Sequence, residues 1–430
     1  MAASLLSSVS PLIRAGRVIE SQGRMLRSSL PSATLGELVT VETSNGESLF
    51  RVTGFRNELA FLTPLEESVG IRAGARVEAL NCDAFCCWSS DYIGQPLDSL
   101  GNPLEELSVN KLERLPLQVT RRKILEREPL SVRFMTGVKA LDTFVPMLKG
   151  QRLLIAAEAG VGKTSLIKEI AIKTNADVTV ITLVGERGRE AREFISSLDL
   201  NRSVIIISTS DEPATRRIAS AETAVAISRK LAAEGKDVLL LMDSLTRYGR
   251  ALRDDALSVG EPAVRRGYPA SVFSALPLLL EQAGNFSSGS ITGIFTMLLN
   301  GELDEDPLIE EVKGVVDGHA ILRQEIAERG IFPALSVHES LSRVERDAVS
   351  EEHHRAIMVA RRVFSKLAKE KKLAYFSSQL EPELKAAMEL ESNFWELVDS
   401  AKESPQSDLE TLTQTFLLAI CESREFRKSQ

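Results

Sequence analysis

Between Ala156 and Glu169 the chain reads AAEAGVGKTSLIKE, a set of residue types suited to holding a polyphosphate. Gly160 and Gly162 let the backbone of Ala159, Gly160, Val161 and Gly162 approach phosphate oxygens closely. Lys163 supplies a positive charge for the β and γ phosphates, the Thr164 hydroxyl suits Mg2+, and Ser165 follows in the first helical turn. An anion there would also meet the unpaired N–H groups and the positive dipole end of the helix that follows. Two positions depart from the full pattern G-x-x-x-x-G-K-[ST]: Ala157 stands where the first glycine belongs, and Glu158 adds a carboxylate beside a loop that binds anions. If the backbone at Glu158 needs a positive φ, the side chain would strain it by about 1 to 3 kcal/mol.

Two further carboxylates end apolar runs. The run DVLLLMDS leads to Asp243, placed to support a metal ion through water, although an Asp at that point also caps helices. DVTVITLVGE leads to Glu186, which has the position needed to orient and polarise an attacking water. The charged residues after it, Arg187, Arg189, Glu190, Arg192 and Glu193, read as the solvated face of a helix.

The elements that must position these groups are legible in the hydrophobic pattern. RLLIAA, DVTVITLV, SVIIIST and DVLLLMDS are near-continuous apolar strands separated by helical segments such as 163–173 and 212–234, the pattern of a parallel sheet covered on both faces. Before them, GRVIES, ELVTVET, SLFRVTGF, ELAFLTP and ARVEAL read as the short strands of a small β-barrel or sandwich. A stretch rich in Pro, Gly and charge, from GQPLDSLGNPLEELSVN to ILEREPLS, reads as a connector. After about residue 351 the spacing turns helical in HHRAIMVARRVFSKLAKEKK and DLETLTQTFLLAICESREF.

A chain of 430 residues has room for two or three domains. Its net charge of −8 argues against generic attraction to nucleic acid or anionic lipid, and no apolar run reaches the roughly 18 residues of a membrane span. Cys82, Cys86 and Cys87 match no usual zinc spacing and read as reduced thiols of a cytosolic protein. The first 20 or so residues lack a basic region ahead of their apolar side chains and read as a mature N-terminus, a docking segment or a disordered end.

The motifs GVGKT, VGERGREAREF, MDSLTRYGRALRD, GEPAVRRGYPASVFSALPLLLEQAGN, DGHAILRQEIAERGIFPAL and SLSRV occur in an order and spacing that resemble the ATPases of flagellar protein export and type III secretion, relatives of the rotary ATP synthase subunits. The resemblance covers about residues 15 to 350. It implies an α/β fold, with a RecA-like P-loop ATPase core (131–350), an N-terminal segment and β-barrel (1–90), a connector (91–130) and a C-terminal helical domain (351–430). ATP and Mg2+ are the implied ligands. Lys163 and Thr164 then fall on the phosphate and metal positions, Glu186 on the catalytic carboxylate with Arg187 beside it, Asp243 on the metal-supporting aspartate and Arg247 on the γ-phosphate side. Phe332 falls where an aromatic meets adenine, and Arg343 where a neighbouring subunit supplies an arginine finger. At position 158 the family usually has Gly.

The resemblance further implies a homohexamer around a central stalk protein, with a regulatory or stator protein at the N-terminus, export chaperones, secreted substrates and an export gate at the membrane. The place implied is cytoplasmic, at the inner face of the cytoplasmic membrane. Three other functions remain at this level: a catalytic subunit of a rotary ATP synthase, a hexameric RNA translocase, and a nucleotide-binding scaffold with little hydrolysis. Against the synthase stands the presence of Glu186 and Arg343 in one chain, and against the translocase the excess of acidic over basic residues before Pro116.

Overall fold

The computed structural model describes residues 13–374, apart from 67, 110, 199, 300 and 302–305, together with Glu391 and Trp395. Leu5, Leu6 and Leu12 of the suggested docking segment, and the second C-terminal helical stretch, lie outside the described residues. Two compact units form, each from two pieces of chain: one from the chain up to Ile124 with Val178–Gln282, the other from Leu125–Asp177 with the chain from Ala283 on.

In the first unit, six strands close into a barrel in the order β1-β2-β5-β4-β3-β6. They are Ala15–Gln22 (β1), Met25–Ser28 (β2), Glu37–Thr43 (β3), Gly46–Arg56 (β4), Leu59–Pro64 (β5) and Arg76–Asp83 (β6). Closure leaves no free sheet edge and turns Val39, Val41, Phe50, Val52, Leu62 and Val77 into a common core. Each such side chain contributes about 1.5 to 3 kcal/mol by leaving water. Gly16 is required by close approach, since a β-carbon there would lie 2.7 Å from the Leu30 backbone.

The same unit holds four parallel strands in the order Asp237–Asp243, Val178–Glu186, Ser203–Thr209 and Pro96–Leu97. The three longer ones are apolar almost throughout because helices such as Ala214–Ala233 cover them. Arg51 of β4 pairs with Glu222 of that helix at 3.1 Å, tying barrel to helix within the unit. The stretch read as a connector contributes pairing partners here, Pro96–Leu97 to the sheet and Glu113–Pro116 to Phe85–Trp88. Cys82, Cys86 and Cys87 carry free thiols, and burial pushes the Cys86 thiol up to about 12.

In the second unit, Arg152–Ala157 lies between Gly318–Leu322 and Ser290–Leu298, parallel to both. Short antiparallel pieces flank them, Leu341–Ser342 on Gly318–Leu322 and Gly284–Phe286 on Ser290–Leu298, so the sheet of this unit is mixed and not parallel throughout. Beyond it runs the helix Glu351–Ala374, on which Phe364 meets Trp395 edge-on at 5.6 Å.

Candidate nucleotide site

The strand Arg152–Ala157 is fully apolar from Leu153 onward, and the chain leaves it at Glu158 into the glycine loop. Gly160 and Gly162 both adopt positive φ, +78° and +84°, which L side chains rarely adopt. Gly162 is constrained a second time, because the Phe332 ring would lie 3.0 Å from any β-carbon placed there. Helix Lys163–Lys173 starts directly after Gly162 and has no side-chain cap. Its first N–H groups therefore need another acceptor, which is the physical basis of anion binding at such a turn. Val161 is buried beneath the loop, whereas Ala159, Gly160, Thr164 and Ser165 face outward.

Glu158 departs from the sequence expectation. Its φ is not in the left-handed region, so the conditional strain does not arise. Its carboxylate is turned to Arg323, whose Nη1 donates to Oε1 at 2.9 Å, and to the Gln324 N–H at 2.6 Å. Phe332 precedes Pro333 through a cis peptide and packs on the loop through its ring. Arg343 is exposed just after Leu341–Ser342, its guanidinium donating to the Lys313 carbonyl at 3.2 Å.

In the other unit, the strand Val178–Glu186 carries its carboxylate on a bulge: the register with Ser203–Thr209 shifts between Val184 and Glu186. Bulges re-aim side chains at strand ends. Gly185 makes the turn with φ of +64°, and a β-carbon on it would lie 3.1 Å from the Arg217 side chain. Arg247, in the first turn of helix Leu245–Ser258, donates to the Gly185 carbonyl and, at 2.8 Å, to Glu186 Oε1. The Arg187 N–H donates to the same oxygen at 3.2 Å.

Despite those donors, the Glu186 carboxyl is pushed up to about 7, first by burial and next by its hydrogen bond to Glu190. Arg247 pulls the other way and is outweighed. Glu190 itself is held below the usual range by that hydrogen bond and by Arg187, whose Nη1 donates to it at 2.8 Å. Each carboxyl thus shifts the other, Glu186 upward and Glu190 downward. Glu190 is exposed, as a residue of a solvated face, and its carboxyl also acts on Glu186. Arg189 and Glu193, by contrast, pair with each other in solvent.

Asp243 is buried at the end of its strand, and the next helix is capped by the Ser244 hydroxyl, which accepts from Arg247 N. The capping role considered for Asp243 is therefore filled by its neighbour. Among the described residues no group of three or more His, Cys, Asp or Glu side chains is arranged to hold a metal ion.

A phosphate-loop α/β core with an N-terminal six-stranded barrel defines the class, and the comparisons agree with it. Residues 137–342 match the ATP synthase alpha/beta family, nucleotide-binding domain. The chain is 39% identical over 358 residues to the flagellum-specific ATP synthase of Borreliella burgdorferi, covering 81% of this chain and 82% of that protein. To the type 3 secretion system ATPase of Xanthomonas euvesicatoria it is 40% identical over 360 residues, covering 82% and 81%. The assembled ATPase EscN of enteropathogenic E. coli, solved in complex with its central stalk EscO, superposes with a TM-score of 0.83 at 33% identity, covering 94% of this chain and all of that one. The chain belongs to the ATP synthase alpha/beta family, on its branch of flagellar and type III secretion ATPases, and is an ATPase that uses ATP.

Proposed function

We infer that this protein hydrolyses ATP to energise protein export through a flagellar or type III secretion apparatus. The observation that carries the chemistry is the placing of Glu186: a carboxyl re-aimed by a bulge at a strand end, steadied by Arg247 at 2.8 Å and pushed up to about 7 chiefly by burial, suits a group that orients and deprotonates water. Lys163 and the loop amides from Ala159 to Ser165 hold the phosphates, and Phe332 packs against the base. Arg247 and Arg187 keep the Glu186 carboxylate in place.

The exposed Thr164 hydroxyl suits Mg2+ that arrives with the nucleotide, no complete protein cage being present among the described residues, and the resemblance assigns Asp243 the part of a metal-supporting carboxylate. Bound with the nucleotide, the ion would neutralise charge on the phosphate oxygens. Arg343 is exposed, its side chain donating to the Lys313 carbonyl, and would serve a neighbouring copy in a homohexamer as an arginine finger. The stalk protein in the EscN complex supports a central stalk as partner. A regulatory protein at the N-terminus, chaperones, secreted substrates and a membrane export gate complete the reading, with the protein cytoplasmic and peripheral to the inner face of the membrane. No described helix is long and apolar enough to cross a membrane. The division into 1–90, 91–130, 131–350 and 351–430 belongs to the same proposal.

The experiment is Glu186→Gln. ATP binding and assembly persist while turnover falls by about 10² to 10⁴, the span typical of general acid–base groups. Near-normal turnover would remove Glu186 from the mechanism.

A further inference from the structure

Glu158 opens the phosphate loop with a negative charge, and the structure engages that charge away from the phosphates. Its backbone N–H donates to the Leu322 carbonyl at 3.2 Å, continuing the strand pairing. Its two carboxylate oxygens accept from Arg323 and from the Gln324 N–H. Arg323 is well covered, with only 12% of its side chain exposed, and its other edge forks onto Glu339: Nε donates to Oε2 at 2.9 Å and Nη2 to Oε1. Its own backbone N–H donates to the Ala334 carbonyl at 3.0 Å.

One guanidinium therefore closes the segment 323–339 on itself, start to end, and fastens it to the first residue of the phosphate loop. Phe332 lies within that segment, and its ring covers Gly162, the last residue before the helix. The same piece of chain thus grips the loop at Glu158 and covers it at Gly162. Two carboxylates facing one guanidinium keep Arg323 charged, raising it above its ordinary range, chiefly through Glu339. The Arg323 and Ser336 side chains hold Glu339 below the usual carboxylate range although burial acts the other way.

We propose that Glu158 is a positioning residue for nucleotide: through Arg323 it locks the phosphate loop to segment 323–339, so that the aromatic ring at Phe332 and the phosphate-binding amides stand in one geometry before ATP arrives. This rests on the loop and Phe332 forming the ATP site. A ligand that spans both elements gains from the lock, because less ordering remains to be done on binding. A ligand that touches the loop alone gains nothing. The charge on Glu158, spent on Arg323 and Gln324, does not repel the phosphates strongly enough to reverse the effect.

The test compares MgATP with magnesium tripolyphosphate, the phosphates without a base, by calorimetric titration of the full chain. Glu158→Gln preserves size while removing the charge, and Glu158→Gly removes the side chain. Both are expected to weaken ATP about tenfold, or about 1.4 kcal/mol, and to leave tripolyphosphate within about twofold. Arg323→Gln should reproduce the split by cutting the lock from its other side. Tighter binding of both ligands would mean repulsion and overturn the proposal. Equal weakening of both would mean a distorted loop, and unchanged binding of both a neutral side chain; either result overturns it as well. ATP binding that survives Lys163→Ala would overturn the ATP-site reading itself, a failure distinct from those three.

Discussion

Replacing Glu190 with Gln tests how far its carboxylate raises Glu186. The Glu186 carboxyl is lifted from 4.5 to about 7, with burial the larger cause and Glu190 the next. Glu190→Gln leaves the burial and removes the neighbouring carboxylate charge, so the value should drop by about one unit, equivalent to about 1.4 kcal/mol between the two protonation states. A base acts when deprotonated, so kcat/KM of the wild type should climb through about pH 7. In the variant that limb should lie about one unit lower, near pH 6. At pH 6 about a tenth of Glu186 is ionised in the wild type and about half in the variant, a relative gain of about fivefold that vanishes near pH 9. Steady-state phosphate release between pH 5.5 and 9 reads this directly. An acidic limb that stays in place in Glu190→Gln, or that persists in Glu186→Gln, would refute the assignment of the limb to this pair.

Stability should carry the mark of the same group. A carboxyl raised in the folded state binds its proton more readily there than in the unfolded chain, so its contribution is full below about pH 4.5 and is lost as pH rises through about 7. Scanning calorimetry should therefore find Glu186→Gln gaining in Tm relative to the wild type over that window. A Tm difference independent of pH would contradict it. Lys163→Ala should lose both ATP binding and turnover, since the ammonium meets the phosphates in ground and transition states alike, and calorimetry with unchanged affinity would count against that role. For Arg343→Ala the expected loss is about 10³ to 10⁵ in rate, against the less than about 1 kcal/mol of a surface ion pair. Mixing it with Glu186→Gln subunits should restore part of the activity; co-assembled mixtures that stay inactive would end the shared-site reading.

Local chemistry made much of this protein legible. The helix over 163–173 agrees with the observed Lys163–Lys173, and that over 212–234 is observed as Ala214–Ala233, because apolar spacing and the glycines at 160 and 162 act over a few residues. The apolar strands ending in Glu186 and Asp243 were equally plain, since burial on both faces forces such composition. Other features depend on which segments meet. The barrel order, with β5 between β2 and β4, follows from closure and leaves no local signal. Glu158 read as a liability because its neighbours in sequence are a phosphate loop; Arg323, 165 residues away, converts it into a contact. The depth at which Glu186 sits pushes its carboxyl up, with Glu190 the next cause, and neither is visible in the local pattern. Residue type and spacing determined that a polyphosphate could bind and a carboxylate could act. The tertiary structure decided which charges are compensated and which protons are retained, since both depend on burial and on partners that distant parts of the chain supply.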